Sequence, residues 1–132
     1  MYSIPKDGDI VLAIRNVMAR YRAIRSQREL RERVEQELNF GGGTYHVSAE
    51  RARRLAIISG VAKLKVWTRA TGRKGTIKEC PVCGETLITS RNMTIFGKTV
   101  TTGYKCKKCS YWTEMDNIRL PSRYEFHLRK RR

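Results

Sequence analysis

Apolar positions recur at three- and four-residue steps in the first half of the chain and at two-residue steps later. Ile10, Val11, Ile14, Val17, Met18 and Tyr21 form one stripe, which predicts a helix over 7–22 with Asp7 or Asp9 capping its start. A second helix is expected over 26–38. Ser26 and Glu29 have capping-box spacing, and Leu30, Val34 and Leu38 mark one buried edge. The arginines and glutamates alternating outside that edge read as a solvated face held by i,i+4 pairs. Gly41, Gly42 and Gly43 then interrupt the pattern. They lack the downstream Lys-Ser/Thr of a phosphate-cradling loop and read as a flexible connection. A third helix is expected from Ser48 to Ser59, stopped by Gly60. Its apolar face (Ala52, Leu55, Ala56, Ser59) is narrow, so Arg51, Arg53 and Arg54 are expected to point outward.

From Val61 the period changes to two. Ala62, Leu64 and Val66 alternate with Lys63, Lys65 and Trp67, as in a half-buried strand. A turn-rich tip at 70–75 and a return strand at 76–78 would complete a hairpin. Three helices followed by a hairpin is the order of a winged helix. Further strands are expected at 86–89, 93–96 and 99–105, broken near Gly97. In the last segment Ser122 and Glu125 fit a capping box, but Tyr124, Phe126 and Leu128 alternate with Glu125, His127 and Arg129. An extended segment packing Tyr124 and Phe126 on the body, followed by a cationic tail, is the preferred reading.

Charge changes the picture. The 132 residues hold 28 Lys and Arg against 12 Asp and Glu, a net charge of +16. Such a surplus repels itself, and an anionic partner relieves the repulsion. The charge is also clustered: no acidic residue lies between Glu50 and Glu79, while Glu29, Glu32, Glu35 and Glu37 share one segment. The acid-free interval holds Arg51, Arg53, Arg54, Lys63, Lys65, Arg69, Arg73, Lys74 and Lys78, and a second basic group closes the chain at Arg129, Lys130, Arg131 and Arg132. These are the expected nucleic-acid contacts. No apolar run approaches the ~20 residues of a membrane span, and no basic amphipathic helix with aromatics on its apolar face is present. A soluble, cytoplasmic protein without membrane contact is expected, associated with nucleoid or ribosome.

The cysteines carry the clearest chemistry. Cys80-Pro81-Val82-Cys83-Gly84 and Cys106-Lys107-Lys108-Cys109 are two pairs at metal-knuckle spacing. Thiolates are the preferred soft donors of closed tetrahedral zinc sites, so Cys80, Cys83, Cys106 and Cys109 are expected to hold one structural zinc ion. A four-thiolate site also accepts iron. The short strands between the pairs cannot bury enough surface alone, so the metal would supply folding energy. A redox pair would need a thioredoxin-like βαβ setting, which is absent. His46 lies in a loop and His127 in the basic tail with no obvious partner, so no enzyme is expected.

The resulting fold is α+β: an N-terminal winged-helix domain over 1–78 and a small β zinc ribbon over 79–117, with a basic C-terminal segment over 118–132. This combination, with the Cys80–Cys83 and Cys106–Cys109 knuckles, resembles small archaeal nucleic-acid-binding proteins and is similar to the alpha subunit of archaeal general transcription factor E. The resemblance implies a DNA-binding, transcription-associated protein, with the third helix at a groove and the wing on phosphates. The junction differs: the wing feeds directly into Cys80 with no long linker helix. Two alternatives stand beside it. One is a ribosome-associated or structured-RNA-binding protein, supported by charge spread over both halves and by the cationic tail. The other is a protein-docking adaptor of a transcription or translation complex, using Glu29 to Glu37 and the ribbon.

Overall fold

The computed structural model describes residues 3–129. It is a mixed α+β structure with three helices and two three-stranded antiparallel sheets. The chain divides into two compact units, Met1–Lys65 with Arg123–Arg132, and Val66–Ser122. The second is thus inserted into the first, where three consecutive stretches (1–78, 79–117, 118–132) were expected.

The first unit begins with α1, Asp7–Tyr21. Its stripe buries Ile10, Ile14, Val17 and Met18, each contributing on the order of 2 kcal/mol by leaving water. Lys6, not Asp7 or Asp9, occupies the N-cap position and makes no side-chain cap; both aspartates lie in the first turn, where they favour the helix dipole. Tyr21 lies outside the core, under the Arg33 guanidinium at 4.4 Å. At the end of α1, Arg22 takes a positive φ of 62° and its N–H donates to Met18 O. The chain then forms the two-residue strand β1, Ala23–Ile24.

The second helix, α2, spans Gln27–Leu38, with Leu30 and Val34 fully buried. Ser26 Oγ accepts from Glu29 N at 3.1 Å. The reciprocal half of the capping box is shifted one residue, since Glu29 Oε2 accepts from Arg25 N at 3.5 Å. The glycine connection is less open than expected, because the Asn39 side chain bridges it, accepting from Tyr45 N at 2.6 Å and donating to Tyr45 O at 3.0 Å.

The third helix, α3, spans Ala49–Ile58, with Ser48 Oγ accepting from Arg51 N and Gly60 beyond its end at a φ of 75°. Its buried face is broader than the small-residue strip read from sequence: Ala52, Arg53, Ala56 and Ile57. Strand β2, Ala62–Ala70, follows with the expected alternation in its first residues. Its ladder partner is not 76–78. It pairs with the C-terminal strand β6, Arg119–Leu128, which is the middle strand of the order β1-β6-β2. Ala23 lies opposite His127 and Ile24 opposite Phe126, and Phe126 is fully buried. The expected 62–78 hairpin therefore does not form. The C-terminal segment takes the place of the return strand, with twice as many alternating positions as 76–78 offers. His127 accordingly sits on a strand, paired with Glu125 at 2.7 Å, rather than in a tail.

The second unit holds β3 (Ile88–Met93), β4 (Thr99–Lys105) and β5 (Trp112–Glu114), in that order. A bulge at Ser90/Arg91 interrupts the β3–β4 ladder. Gly103 permits the close approach of β4 and β5, since a Cβ there would lie 2.2 Å from Thr113 O. Residues 71–75 are tied to 115–118: Thr71 N donates to Ile118 O, Ile118 N to Arg73 O and Gly75 N to Met115 O.

Candidate metal centre and basic surfaces

The four cysteines come from two turns. Cys80 and Cys83 lie in a tight turn enclosed by the Glu79–Thr86 bridge and closed by Gly84 N donating to Cys80 O at 2.9 Å. Gly84 completes it at a φ of 83°, a conformation costly for other residues. Cys106 and Cys109 lie at the β4–β5 connection, where Cys106 N donates to Tyr111 O. Backbone N–H groups of Val82, Lys108 and Cys109 point at the sulfurs of Cys80 and Cys106 at 3.4 Å. Such donors stabilise thiolate charge and orient each ligand.

All four Sγ atoms lie within 4.8 Å of one another. The Cys80–Cys109 and Cys83–Cys106 pairs stand at 3.5 Å. A tetrahedron built on zinc–sulfur bonds of about 2.3 Å has edges of about 3.8 Å, so the donor set fits a single zinc ion with little rearrangement. Cys80, Cys83 and Cys106 are buried and Cys109 is partly covered. The hydrogen bond with Cys109 lowers the Cys80 thiol to about 5, burial pushes Cys83 up to about 12, and Cys109 is raised by its bond with Cys80 and by burial. A dication bound here displaces the remaining protons, so its affinity falls with falling pH. Tyr111 packs beside the cluster, fully buried, and donates to Arg119 O at 2.7 Å.

The expected basic contacts separate into two groups. Arg53 does not point outward: it is 7% exposed, donates to Gln27 Oε1 and lies 4.9 Å from the Tyr124 ring centroid. Arg51 is half-buried and paired with Asp7; Arg54 is exposed and pairs with Glu50 at 2.8 Å. The acidic segment of α2 is likewise engaged, through Arg20–Glu37, Arg28–Glu32 and Arg31–Glu35, with His46 also on Glu35 at 2.9 Å.

Lys63 and Lys65 lie on the exposed side of β2, and Arg129 is exposed beyond β6. Lys130, Arg131 and Arg132 lie outside the described residues. Arg69, Arg73 and Lys74 line one depression of about 570 Å3, with Thr71, Thr76 and Ile118 also in its wall and no carboxylate. Lys78 is exposed nearby in sequence.

Among the described residues no ion pair forms within 66–122, although that stretch holds ten Lys and Arg. Sequence reasoning missed Arg91, Lys98, Lys105, Lys107 and Lys108 as members of this set, because Arg91 and Lys98 are isolated in a polar hairpin and the three lysines sit in and beside the second cysteine knuckle. It also missed Trp112, half-exposed on β5 with the Arg119 guanidinium 5.0 Å from its ring, and the exposed Ile95 and Phe96.

No family model, curated protein or solved structure matches the chain. No helix among the described residues is long and apolar enough to cross a membrane.

Proposed function

We propose that this chain is a non-catalytic nucleic-acid-binding protein whose second unit is a zinc ribbon, folded around one structural zinc ion on Cys80, Cys83, Cys106 and Cys109. The observation that carries the reading is the carboxylate-free depression of Arg69, Arg73 and Lys74. Three cations converging without internal partners suit a phosphate chain, and each contact would release counterions. We read the first unit as a winged helix in which the ribbon is inserted where a wing tip would be. The order β1-β6-β2 beside three helices supports this.

With Arg53 buried and Arg51 half-buried on Asp7, only Arg54 of the three stands exposed on α3, which weakens the case for major-groove reading and for placing duplex DNA ahead of structured RNA. Contacts to phosphate position a nucleic acid without choosing its sequence. The adaptor reading is weaker too, since Glu35 and Glu37 are largely covered and paired with Arg31 and Arg20, while Glu32 stays half exposed. A transcription- or ribosome-associated role is compatible with these contacts.

The test is a salt titration of zinc-loaded protein on duplex DNA and on a structured RNA, with and without Arg69→Gln, Arg73→Gln and Lys74→Gln together. Wild-type protein should show a steep salt slope, reduced by about 0.9 for each phosphate that the variant no longer neutralises. Wild-type protein that binds neither nucleic acid, or a triple variant with an unchanged slope, refutes the reading.

A further inference from the structure

The turn between β3 and β4 is fully specified by three residues. Gly97 N donates to Thr94 O at 3.0 Å, Thr94 N to Lys98 O at 2.7 Å, and Lys98 N to Thr94 Oγ1 at 3.2 Å. Gly97 takes the required positive φ of 79°. Thr94, Gly97 and Lys98 therefore make the turn, and nothing in its geometry calls for apolar side chains at the two positions between them. Those positions are usually polar in such turns. Here they are Ile95, 94% exposed, and Phe96, 84% exposed, with Met93 also exposed beside them. At these exposures the side chains of the tip bury little surface against the hairpin that carries them.

Its surroundings narrow what it meets. Arg91 on β3 and Lys98 at the end of the turn flank the tip, both exposed and without carboxylate partners among the described residues, and no acidic residue lies between Glu85 and Glu114. An apolar point among cations suits a polyanion that also offers flat apolar faces. Unpaired bases offer such faces, whereas a stacked duplex hides them. We infer that the β3–β4 tip stacks Phe96, with Ile95 beside it, on unpaired bases of single-stranded nucleic acid, while Arg91 and Lys98 meet the adjoining phosphates. The inference rests on the nucleic-acid-binding reading above and adds the strand state of the target.

The experiment compares zinc-loaded wild-type, Phe96→Ala and Phe96→Trp proteins on a short single strand carrying 2-aminopurine and on the blunt duplex of the same sequence. Zinc content serves as the control of folding. Phe96→Ala should weaken single-strand binding by about 10-fold and abolish quenching of 2-aminopurine, leaving duplex affinity and salt slope unchanged; Phe96→Trp should restore both. Equal affinity of wild type and Phe96→Ala for the single strand would overturn the stacking, as would equal losses on single strand and duplex. So would Phe96-dependent binding to phosphatidylserine vesicles with oligonucleotide affinity unaltered. In each case the broader reading would stand if Arg69, Arg73 and Lys74 were still required. Wild-type protein that bound neither oligonucleotide would remove both.

Discussion

In the first unit, six arginines (Arg20, Arg28, Arg31, Arg51, Arg54 and Arg123) each stand within 4 Å of a carboxylate, and Arg53 is buried against Gln27 and Tyr124. In the second, ten cations and four carboxylates form no pair among the described residues. Both units are strongly basic, so composition does not separate them. The difference lies in what holds each together. The helical unit has an apolar core of Ile10, Ile14, Leu30, Val34 and Phe126, and six of its arginines are drawn into local or inter-helix pairs. The other has a thin core around Val82 and Tyr111 beside the four clustered sulfurs, and nine of its ten cations are exposed. A high count of positive residues thus has two meanings in one chain: cations already held beside carboxylates, and cations that face water, Lys63 and Arg129 of the first unit among them.

Each side of this contrast can be attacked in turn, with effects of very different size. Removing the metal by chelation, or replacing Cys106 with Ser, should do the most damage, since structural zinc contributes about 10–16 kcal/mol of apparent binding energy. Amide hydrogen exchange should show Tyr104 and Thr113 losing protection while Leu30 and Val34 keep theirs; helices that melted with the metal would show that the division is false.

Next comes the charge contrast. Neutralising Arg69, Arg73 and Lys74 to Gln should weaken nucleic-acid binding on the order of 100-fold at moderate salt. Neutralising Arg20, Arg28 and Arg31 to Gln removes the same charge and should change affinity only a few-fold. Equal effects, read by fluorescence anisotropy across a salt series, would erase the distinction between paired and free cations.

Within the first unit, Arg53→Ala should cost about 2–3 kcal/mol, because it deletes a buried charged hydrogen bond and a stacked guanidinium. Arg54→Ala, at the next residue but on the exposed side, should stay within about 0.5 kcal/mol. Urea denaturation midpoints measure both. The smallest effect of a buried or capping group belongs to the two serines: Ser26→Ala and Ser48→Ala should each lower stability, read from the same midpoint, by about 1 kcal/mol.

The helices and the cysteine cluster were legible because their signals are local. A stripe at helical spacing, a serine three residues before its backbone partner, and two Cys-x-x-Cys turns are each complete within a few residues. What could not be read depends on distant partners. Strand β2 finds β6 across the whole inserted unit, and no short-range pattern announces that pairing. Arg53 is buried because Gln27 and Tyr124 converge on it, although Ile57 one turn later did hint at a wider buried arc. At the β3–β4 turn, Met93 to Phe96 read as strand because they are mostly apolar; the glycine marked the turn, but its reach over Ile95 and Phe96 was invisible without the hydrogen bonds.

The nested order of the chain has a consequence for its synthesis. The middle strand of the first sheet, β6, is made only after the whole inserted stretch, so three finished helices must wait for it. While 71–118 is a floating coil, bringing β6 to β2 means closing a long loop. A metal ion held by Cys80, Cys83, Cys106 and Cys109 would tie 80 to 109 and shorten that loop to its two flanks. The entropy saved is about 1 kcal/mol. Supply of metal during translation should therefore set how quickly the helical part, which contributes none of the four sulfurs, reaches its final sheet.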